Sequence, residues 1–297
     1  MTYFLQLFIT GIAVGCIYSL AALGFVLVYK SSRVINFAQG ELIAIGAFAV
    51  YGLTVWAHLP IWLSFIITLG LMFIFGQAIE RVFLRPMIGE PIISVIMVTI
   101  GLASLLSGAV FFTPFGTLTA SFPKYLPDQA ITFAGLILRW EQLIAIVLTV
   151  IFISALMWFF TRSTLGIAMR AVADDQMASL SVGVSIERVF AIAWAAAGMT
   201  AAAAGFVVGS LSGLEFTNLT AIGLRVFPAV ILGGLDSIAG AVIGGIIIGI
   251  LEQLAAGYLD PYIPGGGTGS VLPFVVLVVV LLVKPYGLFG TKEIERV

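Results

Sequence analysis

Apolar residues run almost unbroken along most of this chain, and polar residues collect in a few short stretches between them. Runs of roughly 20 apolar residues are what a helix needs to cross a bilayer. They predict spanning helices at about 3–29, 36–57, 61–79, 92–112, 142–160, 189–211, 217–235, 237–256 and 271–283. That makes about nine spans, in a range of eight to ten. The seventh is the weakest, because Arg225 and Pro228 interrupt it. The first 29 residues hold no charge, unlike the basic start of a cleaved signal peptide, so they read as a retained span.

The most charged break between apolar runs is Thr161 to Val189, with Arg162, Arg170, Asp174, Asp175, Glu187 and Arg188. Met169, Ala173, Met177 and Leu180 recur there at helical spacing. Arg170, Asp174, Asp175 and Ser181 fall largely on other faces, and Gly183 stands where a helix C-cap would. The pattern predicts a short amphipathic helix at the membrane surface. It suits docking on another protein, and equally an ordinary solvated loop helix.

Composition sharpens the class. Of 297 residues 61% are hydrophobic and 9% charged, with net charge −1. Soluble domains carry about a quarter charged residues, so the expected fold is all-α: a polytopic helical membrane protein forming one transmembrane domain over 1–297. No basic tract suggests nucleic acid. Cys16 is the single cysteine, which excludes an internal disulfide and any cysteine-based metal site.

Charge also sets orientation. With the N-terminus outside and the C-terminus in, the inner ends carry Lys30, Arg33, Arg81, Arg85, Arg162, Arg170, Arg188, Lys284, Lys292 and Arg296. The outer loops carry only Lys124 and Arg139. The polar segment 162–188 then lies inside. Outside lie the proline-bearing loop 113–141, with a short strand or helix at 132–138, and the loop Gly257 to Ser270, where the glycines and prolines predict no stable element.

Two polar, glycine-bearing stretches open spans at matching inner positions. One holds Asn36, Gln39, Gly40 and Glu41, the other Gly233, Gly234 and Asp236. Such a pair points to a translocation path, or to two interfacial turns. Pairs such as Gly11/Gly15, Gly205/Gly209, Gly240/Gly244 and Gly245/Gly249 predict close helix packing, within one subunit or across a dimer. Charges inside spans are costly, so Arg225 is expected to form an intramembrane ion pair with Glu252, with Glu215 as a rival. His58 falls at an outer turn, too isolated for a zinc site or triad, and the phosphate-loop motif is absent. With Glu41, Glu80 and Asp236 assigned to inner ends, no acid is expected at mid-depth, which argues against a proton-coupled carrier.

Val34-Ile35-Asn36-Phe37-Ala38-Gln39-Gly40-Glu41 resembles the signature of the LivH-type permeases of branched-chain amino-acid ABC importers. So do the stretch Gly166 to Gly183, Leu232-Gly233-Gly234, and Lys284-Pro285-Tyr286-Gly287-Leu288-Phe289-Gly290. The resemblance runs over essentially the whole chain. It implies a permease subunit in a bacterial inner membrane, carrying branched-chain or related amino acids. Its partners would be a second, related permease, two cytoplasmic ATPases, a periplasmic solute-binding protein and membrane lipid. The chain would bind no cofactor and no metal, and would not be an enzyme, since the ATPases use the ATP. By the same resemblance Arg170, Asp174, Asp175, Met177, Leu180 and Gly183 would belong to a coupling helix. The importer pattern Glu-Ala-Ala before a glycine reads Met177-Ala178-Ser179 here, without the glutamate. Other readings are the same machine importing urea, amides or small carboxylates, a stand-alone secondary carrier or channel, or a membrane scaffold.

Overall fold

A computed structural model describes residues 2–127, 130–133 and 136–290. Its helices are α1 (Thr2–Ser32), α2 (Gln39–Val55), α3 (Ile61–Ile79), α4 (Ile92–Phe111), α5 (Trp140–Arg162), α6 (Thr164–Asp174), α7 (Gln176–Ser181), α8 (Ile186–Ser212), α9 (Phe216–Gly233), α10 (Ile238–Tyr258) and α11 (Thr268–Val283). A short antiparallel hairpin pairs β1 (Ile131–Phe133) with β2 (Leu136–Leu138). Each predicted apolar run coincides with one of α1–α5 or α8–α11. Among the described residues, seven helices are long and apolar enough to cross a membrane. α2, with 17 residues, and α11, with 16, are shorter.

The helix α1 is apolar all round and is buried accordingly, packed on α5, α8, α9 and α10. Its closest neighbour is α10. A methyl group at Gly15 would lie 2.5 Å from the Ile246 Cα, and one at Gly11 2.6 Å from the Ile250 Cα. Gly245 and Gly249 face the same seam, so these glycines serve packing within one chain. At the rim, α3, α4 and α5 leave Ile66, Ile74, Ile93, Met97, Val147 and Val150 exposed, as helices facing lipid do.

The two ends of the bundle differ. At one, α3 runs into a π turn and a 3-10 turn, where the fully buried Glu80 receives two hydrogen bonds from Arg85. Arg85 also reaches Glu187 at the start of α8, at 2.9 Å. Residues 284–290 fold back at this end, Leu288 N–H donating to the Leu232 carbonyl at 2.8 Å. At the opposite end, Gln6 of α1 donates to and accepts from the Ile137 backbone, pinning the hairpin. The loop after α10, expected to lack structure, contains a 3-10 turn at Asp260–Tyr262. Asp260 accepts the Thr268 N–H at 2.8 Å and so satisfies a first-turn donor of α11.

Candidate functional site

The feature that organises the site is a break between α1 and α2. After Ser32 the chain does not start a new helix at the bundle's end but runs on without regular structure through Val34, Ile35 and Asn36. Thr99, two turns into α4, donates to the Ile35 carbonyl at 3.2 Å, so the segment has already passed into the bundle. Only then does α2 begin. Its 17 residues span about 25 Å, short of a hydrocarbon core of about 30 Å. Non-helical backbone at such depth persists only where protein or a water-filled cavity surrounds it.

Asn36 holds the turn together. Its side chain accepts the Ala38 N–H at 3.0 Å and donates to the Gln39 Oε1 at 3.2 Å. Both Asn36 and Gln39 are fully buried. The Gln39 amide packs on Gly24, and among the described residues its Nε2 has no hydrogen-bond partner. Gly40 lets α2 press on α9, since a methyl group there would lie 2.3 Å from the Thr220 carbonyl oxygen.

Glu41 is placed differently from its expected position at the inner end. Ser107 Oγ donates to its carboxylate at 3.3 Å, and Ser107 lies about 22 Å along α4. The reason is the unwound segment, which carries α2's first turn into the bundle; no sequence periodicity reports that offset. A carboxylate therefore does stand at depth, and that argument against a proton-coupled carrier fails. Gly40 and Glu41 line a groove of about 670 Å³ between α2, α4 and α9. Asn36 and Gln39 do not line it.

Gly233, Gly234 and Asp236 lie elsewhere. A methyl group at Gly233 would meet the Gly240 carbonyl of α10. Gly234 has φ +102° and packs on Gly290. The Lys30 ammonium donates to the Asp236 carbonyl at 3.0 Å. The two glycine-bearing stretches are not brought together.

Arg225 and Glu252 share one cluster, with an additional member. The Tyr18 hydroxyl donates to Glu252 Oε2 at 2.5 Å, and the Arg225 charge acts on both groups. Among the described residues no direct contact of ion-pair length joins Arg225 to Glu252. Tyr18 was invisible as a partner because it lies on another helix. Glu215, the rival, instead accepts from Thr217 and Asn218. The helix α9 continues through Pro228.

The polar segment 162–188 forms two helices, where the periodicity predicted one. Asp175 is extended (φ −154°, ψ 109°), and its side chain accepts the Ala178 N–H at 2.9 Å, ending α6 and capping α7. An aspartate offering its own cap competes with helix continuation. Met169 and Val172 are buried against the bundle, and the Arg170 guanidinium donates to the Phe160 carbonyl. Met177, Leu180 and Val182 are exposed, Met177 by 77%. Gly183, at φ +85°, closes α7: its N–H donates to Leu180 and the Val184 N–H to Ser179, a Schellman arrangement.

At the opposite end, a cavity of about 500 Å³ is lined by Lys124, Arg139, Glu141 and Ser212 among others. Tyr125 donates to Ser210 there at 2.6 Å, and burial holds its phenol above its ordinary range. Asp128, in the loop 113–141, lies outside the described residues, as do Lys292 and Arg296 of the expected inner ends. Among the described residues no group of His, Cys, Asp and Glu could hold a metal ion.

A family model described as the permease component of branched-chain amino acid transport systems matches residues 7–281. The chain is 33% identical over 311 residues to the high-affinity branched-chain amino acid transport system permease protein LivH of Salmonella typhimurium, covering 99% of this chain and 98% of that protein. It is 30% identical over 308 residues to the corresponding protein BraD of Pseudomonas aeruginosa, with the same coverage. Among solved structures, PsaBC from Streptococcus pneumoniae in complex with Fab aligns with TM-score 0.50 and 11% identity, over 96% of this chain and 93% of that one, a likeness of fold alone.

Proposed function

Since this chain belongs to the permease-component family of branched-chain amino acid transport systems, we propose that it is the transmembrane permease subunit of an ATP-driven importer of branched-chain amino acids. It is a transport subunit, not an enzyme. The observation that carries this reading is the extent of the match, which takes in the whole helical bundle. The chain crosses a bacterial inner membrane about nine times, N-terminus outside and C-terminus in the cytoplasm, as the basic residues grouped at one end favour. It pairs with a second permease, and two cytoplasmic ATPases supply the power, so this chain holds no cofactor itself. A solute-binding protein docks on the outer loops near Lys124 to Glu141 and Gly257 to Ser270.

Coupling runs through the segment 162–188. Met177, Leu180 and Val182 form an exposed apolar knob at its tip, and Asp174 and Asp175 supply charge beside it. Exposed apolar clusters of this kind mark protein contacts. ATP-driven closure moves the knob, and the chain switches between two arrangements of similar free energy. The solute passes along the groove that Gly40 and Glu41 line, while Asn36 and Gln39 hold the unwound turn in shape.

Reconstitution tests the assignment. Proteoliposomes holding the full set of subunits, supplied with ATP, should take up leucine. This chain alone should take up none. Uptake by the single chain would instead assign it to secondary carriers or channels.

A further inference from the structure

The groove between α2, α4 and α9 holds one acid and, among the described residues, no cation to match it. Glu41 has Ser107 as its hydrogen-bonding side-chain partner, and no lysine or arginine lies within ion-pair distance. Carboxylates at membrane depth are normally paired, because leaving one alone in a low dielectric is costly. The Glu41 backbone N–H also donates to the carboxylate, and the remaining polar side-chain atoms of the groove are hydroxyls. Those of Thr217 and Thr220 already donate, to Glu215 and to the Thr217 carbonyl, so their oxygens are left to accept. Glu41 and the two threonine hydroxyls thus present acceptors to the groove.

Its other side is aromatic. Phe227 stacks on Phe37 with centroids 5.6 Å apart and meets Phe25 edge-on at 5.6 Å. Ile100 and Leu224 extend that wall. A volume of about 670 Å³ holds a small solute with water.

We infer that Glu41 is the ammonium subsite of the transport path: it takes the amino group of the passing solute, Ser107 steadies the carboxylate, and the Phe227 wall receives the aliphatic side chain. The inference rests on reading the chain as an amino-acid permease. A charge met along the path also has to be released, and a single carboxylate on an open groove allows that more readily than an enclosed cage.

Two measurements test it. The first needs no knowledge of the cargo. Ser104 is exposed in the groove and the native Cys16 is buried, so Ser104→Cys offers one reactive thiol. Its modification by 2-aminoethyl methanethiosulfonate, a cation, is compared with that by 2-sulfonatoethyl methanethiosulfonate, an anion, in the full-length chain and in the assembled transporter. The cation-to-anion rate ratio should fall about tenfold when Glu41→Gln is added, a factor equal to about 1.4 kcal/mol. An unchanged ratio overturns the inference. So does a ratio that depends on Glu41 in the chain alone but not in the assembly, which would give Glu41 to a cation of the second permease. The second measurement is leucine uptake by the reconstituted assembly. Glu41→Gln should lower it at least tenfold while ATPase stimulation by loaded binding protein persists, and Glu41→Asp should recover part of it. Uptake within twofold of wild type overturns the subsite. If the wild-type assembly takes up no leucine, the cargo assignment fails, and the thiol ratio still decides whether the groove selects a cation.

Discussion

The Tyr18 hydroxyl donates to the Glu252 carboxylate at 2.5 Å, joining α1 to α10 across 234 residues of sequence. Hydrogen bonds to charged groups contribute about 1.5–3 kcal/mol. Tyr18→Phe is therefore expected to destabilise the protein by about 2 kcal/mol, read as a lowered unfolding midpoint in detergent. Arg225, whose charge acts on both groups, should be coupled to them. A double-mutant cycle of Arg225→Ala with Glu252→Ala should give an interaction of at least about 0.5 kcal/mol. Strict additivity would remove Arg225 from the cluster.

The ion pairs at the end of α3 differ in burial, and their worth should differ likewise. Glu80 is fully buried while Glu187 is 57% exposed, and Arg85 touches both. Arg85→Ala strands the buried Glu80 charge and should cost clearly more than the loss of a surface pair. Glu187→Ala removes a surface partner and should cost under about 1 kcal/mol. Thermal unfolding of the two variants, side by side, reads the difference. Equal losses would contradict the burial argument.

The α1–α10 seam tolerates no added atom at Gly15, whereas Gly70 of α3 has open space where a Cβ would go. Gly15→Ala is expected to destabilise by about 1–3 kcal/mol through overpacking. Gly70→Ala should be neutral or slightly stabilising, since alanine favours a helix. Yield of folded protein from membranes, followed by unfolding in detergent, separates the two.

The exposed knob of α7 makes two checks possible. Met177→Glu with Leu180→Glu should leave membrane insertion normal and reduce ATP-driven uptake at least tenfold, by removing the proposed apolar contact with an ATPase. Normal uptake would end the coupling role. Val182→Cys should react with a membrane-impermeant maleimide only in inverted vesicles. Labelling in intact spheroplasts would reverse the proposed orientation.

Apolar run length was enough to place α1, α3, α4, α5, α8, α9 and α10, because a span must satisfy its own backbone and so declares itself in consecutive residues. Full-chain family resemblance was legible for the same reason: its motifs are local strings. Contacts between helices were not. Tyr18 and Glu252 carry no pattern that joins them, since a buried hydrogen bond depends on which faces meet. The unwound stretch before Gln39 was also hidden, and with it the depth of Glu41, because residues 36–57 are apolar enough to read as helix throughout. Asp175 splits α6 from α7 through a competing local cap, which periodicity does not weigh. What must lie in lipid can be read residue by residue, because transfer from water is additive along the chain. Which polar groups share a cavity follows from packing in three dimensions, and no local pattern carries it.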